Sequence, residues 1–262
     1  MSTNEADGAV TLERRGAVAH VTFDRPAARN AMTRQMYGQL HAICDQLQAD
    51  ATLRAAVFRG AGGKAFVAGS DVRIFSGFET GEDGIAYERE MEEHTLALTR
   101  IPVPTIAAID GWTVGGGLNL AAACDLRIAT AGSRFGVPIA RTVGNCLSMA
   151  NYARLVAGFG AARAKRMLLL GEILDADEAR ACGFLAEIVE KDALDDAVTR
   201  ICDTILANAP VTLRVSKAAI ARLADDPGAD GDDLIASCYG SRDFKAGVAG
   251  FLSGEPPAWE GR

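Results

Sequence analysis

Between residues 104 and 130 the chain reads PTIAAIDGWTVGGGLNLAAACDLRIAT. A strand-like run, three successive glycines, an alanine-rich helical run and a second strand-like run follow one another without a linker. Strand, tight turn, helix, strand is the repeat of a layered α/β fold, and few other folds accept that order. Glycine loses more backbone entropy on folding than any other residue. Gly115, Gly116 and Gly117 together therefore need a reason: a left-handed backbone, a close approach, or both. Asn119 sits half a turn further on, at the same end of the helical run.

The rest of the chain agrees with this reading. Residues 9–14 and 17–23 alternate around Arg15-Gly16, a hairpin signal. Asn30 or Thr33 can cap a helix over 33–49, with Met36, Leu40, Ile43 and Leu47 at helical spacing. A strand over 55–60 precedes a glycine-rich loop. A helix over 83–100 carries Tyr87, Met91, Leu98 and Ile101 on one face. Strands are expected at 105–110, 125–130 and 186–190, with a polar loop over 131–146. Later segments read as helices: 147–157, 161–170, 175–182, 192–207, 210–223 and 232–250. The expectation is an α/β core followed by an all-helical C-terminal extension.

Composition excludes several classes. The net charge is −7 and no Lys/Arg run interrupts the acidic balance, which argues against a nucleic-acid surface. The cysteines at 44, 124, 146, 182, 202 and 238 show neither CxxC nor Cys/His ligand spacing. They read as small buried hydrophobes in a reducing compartment, and no metal site is expected. MSTNEADGAV lacks a basic region and an apolar core, so no signal peptide is expected. The longest apolar stretch, 101–123, is interrupted by Pro102, Pro104, Asp110 and the glycines, so no membrane span is expected. A cytoplasmic protein without membrane partners follows.

Three glycine-rich loops compete for the chemistry. GAGGKA (60–65) has the G-x-G-x-x-A form of a dinucleotide loop, but that fingerprint opens a helix at once, and here Phe66-Val67-Ala68-Gly69 intervene. It also fails as a Walker loop, because Ala65 stands where Ser or Thr should follow Gly63-Lys64. AFVAGSD (65–71) and TVGGGLN (113–119) make sense as a pair. Each follows a strand and precedes a helix, so in a parallel sheet their backbone N–H groups can converge on one ligand oxygen. That is an oxyanion hole for a carbonyl becoming an enolate or a tetrahedral intermediate. Two tight turns whose glycines merely satisfy φ > 0 or close packing are the alternative.

HVTFDRPAARNAM (20–32), KAFVAGSDV (64–72) and PTIAAIDGWTVGGGLNLAAACDLRIAT (104–130) resemble the crotonase, or enoyl-CoA hydratase/isomerase, superfamily. SRFGVP (133–138), LLLGEILDADEARACGFLAEIV (168–189) and PAWEGR (257–262) continue the resemblance along nearly the whole chain. It implies a crotonase-like ββα spiral core over 1–190, with a helical oligomerisation region over 191–262. It also implies a homotrimer or a hexamer of paired trimers, and a place in metabolism such as that of fatty acids. The implied ligand is an acyl-CoA thioester, with coenzyme A part of the substrate and no separate cofactor.

Position by position, the resemblance assigns the oxyanion N–H groups to Ser70 and Gly116. Ala68 offers its backbone to the adenine, and Asp71, Val72 and Arg73 follow the pantetheine and phosphate path. Arg73 matches a basic position of the family, with a solvated charge at a helix start as its alternative. Arg25, Ala28 and Arg29 match another CoA-contacting turn, with Arg29 a phosphate partner. Phe251 matches an aromatic that reaches the CoA of an adjacent subunit, or else is buried in the trimer. Gly254 stands where a lysine is expected.

The chain departs from the family where hydratases carry two glutamates, one two residues after the triple glycine and one after the proline of FGxP. Paired carboxylates hold a water and shuttle its proton. Here Asn119 and Ile139 occupy those places. An amide cannot take up a proton at neutral pH, and isoleucine has no polar group at all. His94 shares the Tyr87–Met91–Leu98 stripe, which makes it a replacement base or a core or subunit-contact histidine. Glu92 stands where a dehalogenating relative carries its base, yet its periodicity, like that of Glu93, places it in solvent. Arg141 either binds an acyl carboxylate or faces solvent, and Cys146 has no histidine near it in sequence. The expected activity is enolate chemistry on an acyl-CoA other than ordinary hydration; the alternative is an inactive acyl-CoA-binding homologue.

Overall fold

The computed structural model of the protein describes residues 8–262. Residues 1–7, on which the expectation of no signal peptide partly rests, lie outside them. The chain opens with β1 (Ala9–Arg15) and β2 (Val18–Asp24), antiparallel, with Arg15 opposite Val18 across Gly16-Ala17. Gly16 has φ 60°, the left-handed geometry a two-residue hairpin loop needs. Helix α1 (Arg34–Ala49) begins at Thr33, whose hydroxyl accepts from the Met36 N–H at 3.2 Å. Asn30 has another task. Fully buried at φ 57°, it donates to the Ala61 and Ala65 carbonyls and accepts from the Arg25 N–H.

In order there follow β3 (Ala55–Gly60), β4 (Ala65–Val67), α2 (Gly81–Thr99), β5 (Thr105–Ile109), β6 (Trp112–Val114), α3 (Gly116–Ala123), β7 (Leu126–Thr130) and β8 (Arg134–Gly136). Then come α4 (Met149–Leu169), β9 (Ile173–Asp175), α5 (Ala176–Ala181), β10 (Glu187–Val189), α6 (Leu194–Ala207), α7 (Pro210–Asp225), α8 (Asp232–Tyr239) and α9 (Arg242–Ser253). Six strands form one sheet in the order β1-β2-β3-β5-β7-β10, parallel beyond the hairpin. Four three-residue strands form a second sheet, β4-β6-β8-β9. Sequence reading anticipated the first sheet and missed the second, because three residues are too few to show a period of two. GAGGKA leads through a 3-10 turn into β4, with no helix at its end, which removes the dinucleotide reading.

β3 shows how the layers are built. Ala56 and Phe58 enter the main core with Phe23, Phe66, Met36, Leu40 and Leu98. Ala55 and Val57 point the other way, under Leu194, Ala197, Val198, Cys202 and Ile205 of α6. Fully burying one such Leu or Phe contributes about 1.5–3 kcal/mol. Helix α6 thus covers a face of the core sheet, although it lies beyond the boundary expected at 190/191. The helical extension proper is α7–α9. The 232–250 helix expected from sequence is two, broken at Gly240-Ser241, with the Ser241 hydroxyl accepting from the Phe244 N–H. The break between the expected 147–157 and 161–170 helices survives as a kink in α4, where Gly160 has φ 75°. The C-terminal residues are tied down: the Glu260 and Gly261 N–H groups donate to buried Asp243, and the Trp259 indole to the Ala207 carbonyl. No described helix is long and apolar enough to cross a membrane.

Candidate active site

Parallel pairing of β4 with β6 (Ala65 opposite Trp112, Val67 opposite Thr113) brings the turns that follow them side by side. Each triple-glycine residue is small for its own reason. Gly115 adopts φ 54°, ψ −126°, which a side chain would strain. A Cβ on Gly117 would lie 1.9 Å from the Val67 carbonyl oxygen, so α3 could not pack on β4. A Cβ on Gly116 would project toward the neighbouring turn, 2.8 Å from the Tyr37 hydroxyl and 3.7 Å from the Ser70 nitrogen. The other turn is fixed by Gly69 at φ 90° and by two backbone bonds to Met32, Met32 N–H to Gly69 O and Asp71 N–H to Met32 O. Neither the Ser70 nor the Gly116 N–H has an acceptor among the described residues. The Gly116 N–H belongs to the first turn of α3, where orphan donors and the helix dipole favour negative charge.

These groups border a cavity of about 280 Å³. Of the residues singled out from sequence, Ala68, Ser70, Val72, Gly116, Asn119 and Ile139 line it. Tyr37 and Tyr87, whose roles the sequence did not reveal, flank the Ser70 hydroxyl at 2.9 and 2.7 Å. Burial pushes the Tyr87 phenol up to about 12 and the Tyr37 phenol higher still, so both stay neutral.

Further along the cavity lining, the Asn119 amide donates to the Thr95 hydroxyl at 2.9 Å, and its oxygen faces Arg154 at 3.4 Å. Arg154 in turn binds Asn151 and forms a two-point ion pair with Glu92. Glu92 and Arg154 are each 19% exposed at the side chain, so the expectation of a solvated Glu92 is corrected. Ile139 follows Pro138 in a 3-10 turn and adds only apolar surface. Glu88, one turn before Glu92, also lines the cavity and accepts from the Ser148 N–H at 2.7 Å. Burial raises its carboxyl above the usual range, against hydrogen bonds from Ser148 and Asn151 that lower it, while the Glu92 charge raises it further. Sequence reading passed over Glu88, because nothing local tells a cavity-facing glutamate from a solvated one. A second cavity of about 810 Å³ lies beyond, sharing Phe75, Tyr87, Glu88, Asn145 and Leu147 with the first.

Other expected residues lie elsewhere. His94 does not line the cavity. Its ring stacks behind Tyr37, with centroids 5.6 Å apart, and its Nδ1 is 3.1 Å from that of His41. Burial and then His41 keep it below its ordinary pKa, and its neighbour Thr95 faces the site instead. Arg25, expected at the CoA turn, is buried in an ion pair with Asp71 at 2.8 Å and donates to the Ala31 carbonyl. Asp71 is held by Arg73 and Arg25, well below the usual carboxylate range, so this trio braces the turn from behind. Arg73 itself reaches the surface, as do Arg29, over the Trp112 ring at 5.9 Å, and half-buried Ala28. Ala68 donates its N–H to the Arg29 carbonyl. Arg141 is exposed against Gly171, and Cys146 is exposed at the second cavity. Phe251 is 89% exposed on α9, away from both cavities in this chain.

The profile of the enoyl-CoA hydratase/isomerase family matches residues 13–262. A short-chain-enoyl-CoA hydratase of Clostridium acetobutylicum is 31% identical over 250 residues, covering 93% of this chain and 94% of the relative. An (E)-benzylidenesuccinyl-CoA hydratase of Thauera aromatica is 33% identical over 256 residues, covering 96% and 99%. Among solved structures, an enoyl-CoA hydratase/carnithine racemase from Magnetospirillum magneticum superposes with a TM-score of 0.90 at 36% identity, over 97% of this chain and 96% of that one.

Proposed function

The chain belongs to the enoyl-CoA hydratase/isomerase family, and from that premise we propose that its cavity binds an acyl-CoA thioester and stabilises the thioester enolate. The observation that carries this reading is the pair of acceptor-free N–H groups, Ser70 and Gly116, on abutting turns at the wall of one cavity. Withdrawing a proton beside the thioester drives an electron pair onto the carbonyl oxygen. Two preorganised donors stabilise that charge most when it is fully formed, which is the condition for catalysis rather than mere binding. Tyr37 and Tyr87 hold the Ser70 side chain from both sides, so this donor needs no rearrangement as the charge appears.

The CoA moiety runs outward past Ala68 and Val72, with Arg73, Arg29 and Ala28 at the exposed mouth. Arg25 and Asp71 support this path without touching the ligand. In a trimer or pair of trimers, Phe251 of α9 meets a neighbouring subunit. Its 89% exposure, beside Leu252 at 81%, supports an apolar contact there. The reaction differs from ordinary hydration, because the places of the paired glutamates hold an amide already engaged by Thr95 and Arg154 and an isoleucine.

The test is to titrate the full-length protein and Gly116→Val with butyryl-CoA by calorimetry, then incubate both with a broad acyl-CoA panel and identify products by mass spectrometry. Wild type is expected to bind and to convert at least one thioester, with crotonyl-CoA hydration at least about 10²-fold below that of a two-glutamate relative. Gly116→Val is expected to lose turnover. Binding without turnover of any panel member would favour the inactive homologue, and equal turnover by Gly116→Val would overturn the site.

A further inference from the structure

We propose that Glu88 is the catalytic acid/base of this chain, moving the proton on the acyl carbon next to the thioester. The inference rests on the acyl-CoA reading of the cavity and adds the one residue that reading lacks. Of the residues lining the 280 Å³ cavity, Glu88 alone carries a carboxylate. It also lies on the seam between the two cavities. An acyl group whose carbonyl is held at Ser70 and Gly116, and whose far end enters the larger cavity, passes between Tyr87 and Glu88 of α2 and Asn145 and Leu147 of the facing loop. The acyl chain therefore passes this carboxyl on its way from the thioester into the larger cavity.

The surroundings suit proton transfer. Glu88 is oriented by the Ser148 N–H at the start of α4 and by Asn151, so it does not need to be fixed by substrate. Glu92, one turn along α2, is ion-paired with Arg154 from α4, and among the described residues Glu88 has no cation within ion-pair distance. Half-buried, beside the Glu92 carboxylate and with no ion-pair partner among the described residues, its charged form is disfavoured, as a group that must both take and release a proton requires. Asn119 and Ile139 offer no competing base.

The step is closed in atoms and electrons. The Glu88 carboxylate takes a proton from the carbon next to the thioester. The C–H pair becomes the carbon–carbon π bond of the enolate, and the carbonyl π pair moves onto the oxygen between Ser70 and Gly116. Return of a proton to the same carbon gives exchange with solvent, and return two carbons further along an unsaturated chain gives a double-bond shift. No co-reactant is consumed. The edge-to-face trio of Phe75, Phe78 and Tyr87 at the larger cavity favours an aromatic acyl group as probe.

The experiment follows deuterium uptake at the carbon next to the thioester of phenylacetyl-CoA in D2O, using full-length wild type, Glu88→Gln and Glu88→Asp, with calorimetric affinities for the same ligand. Wild type is expected to exchange. Glu88→Gln should lose about 10²- to 10⁴-fold of the rate with affinity retained, and Glu88→Asp should keep an intermediate rate. Exchange at the wild-type rate in Glu88→Gln overturns the assignment, as does a wild type that binds the thioester without exchanging it. A wild type that binds neither phenylacetyl-CoA nor butyryl-CoA overturns the acyl-CoA reading itself, and the Glu88 assignment with it.

Discussion

The two walls of the cavity are built from different materials. One is backbone: two glycine turns at the ends of paired strands, presenting the Ser70 and Gly116 N–H groups. The other is side chain: Asn119 on α3, Ile139 in the loop before α4 and Glu88 on α2, with the Arg154–Glu92 pair bonded behind Asn119. Sheet pairing fixes the first wall, and its glycines are held there by left-handed backbone at Gly69 and Gly115 and by main-chain contact at Gly117. The second can be rewritten residue by residue without disturbing the fold, so a single scaffold can keep one electrostatic device and exchange the proton chemistry around it.

The sharpest way to break this contrast is within the triple glycine. Gly117→Ala would place a methyl 1.9 Å from a backbone oxygen that cannot swing away. A loss of about 3 kcal/mol or more is expected, a Tm drop on the order of 10 °C by calorimetry. Gly116→Val, by contrast, meets first the end of the Tyr37 side chain and should stay folded while losing turnover. Equal Tm losses in the two variants would mean that Gly116 is also mere packing.

A smaller effect is expected when the second wall is rewritten toward a hydratase. In the double variant Asn119→Glu, Ile139→Glu, the first carboxylate would lie beside Arg154, whose charge favours the ionised form and makes it a poor proton donor. The gain in crotonyl-CoA hydration, followed by loss of enoyl absorbance, should stay below about tenfold, against the 10²- to 10⁴-fold that a well-placed acid/base group supplies. A gain above that range's lower end would show that the wall is set by those two positions alone.

The sequence showed the backbone wall and hid the other, for a physical reason. Glycines that need φ > 0 or close approach leave a mark in the sequence, so 65–71 and 113–119 could be paired before the second sheet was known. Hairpin, α1 and core strands were legible by period, and Thr33 as a cap was one of two options. The three-residue strands β4, β6, β8 and β9 carry no periodic signal, and α6 was read as extension because an amphipathic helix does not say which sheet it covers. Helical spacing put His94 on the inward stripe of α2 but could not say that Tyr37 would stand between it and the cavity. Glu88 and Arg154 acquire their roles from neighbours about 60 residues away in sequence. Gly254 shows the reverse case: it closes α9 at φ 77°, so the glycine found where a lysine is expected has a local backbone reason.

The claim that both turns grip one thioester oxygen is tested most directly by the carbonyl stretch of bound ligand, measured by isotope-edited infrared difference spectroscopy on [1-13C]butyryl-CoA. Two donors aimed at that oxygen weaken its double bond. The stretch is therefore expected at lower frequency on wild type than in water, and at a frequency closer to water on Gly116→Val. A bound thioester whose carbonyl frequency on wild type equals that in water would contradict the account.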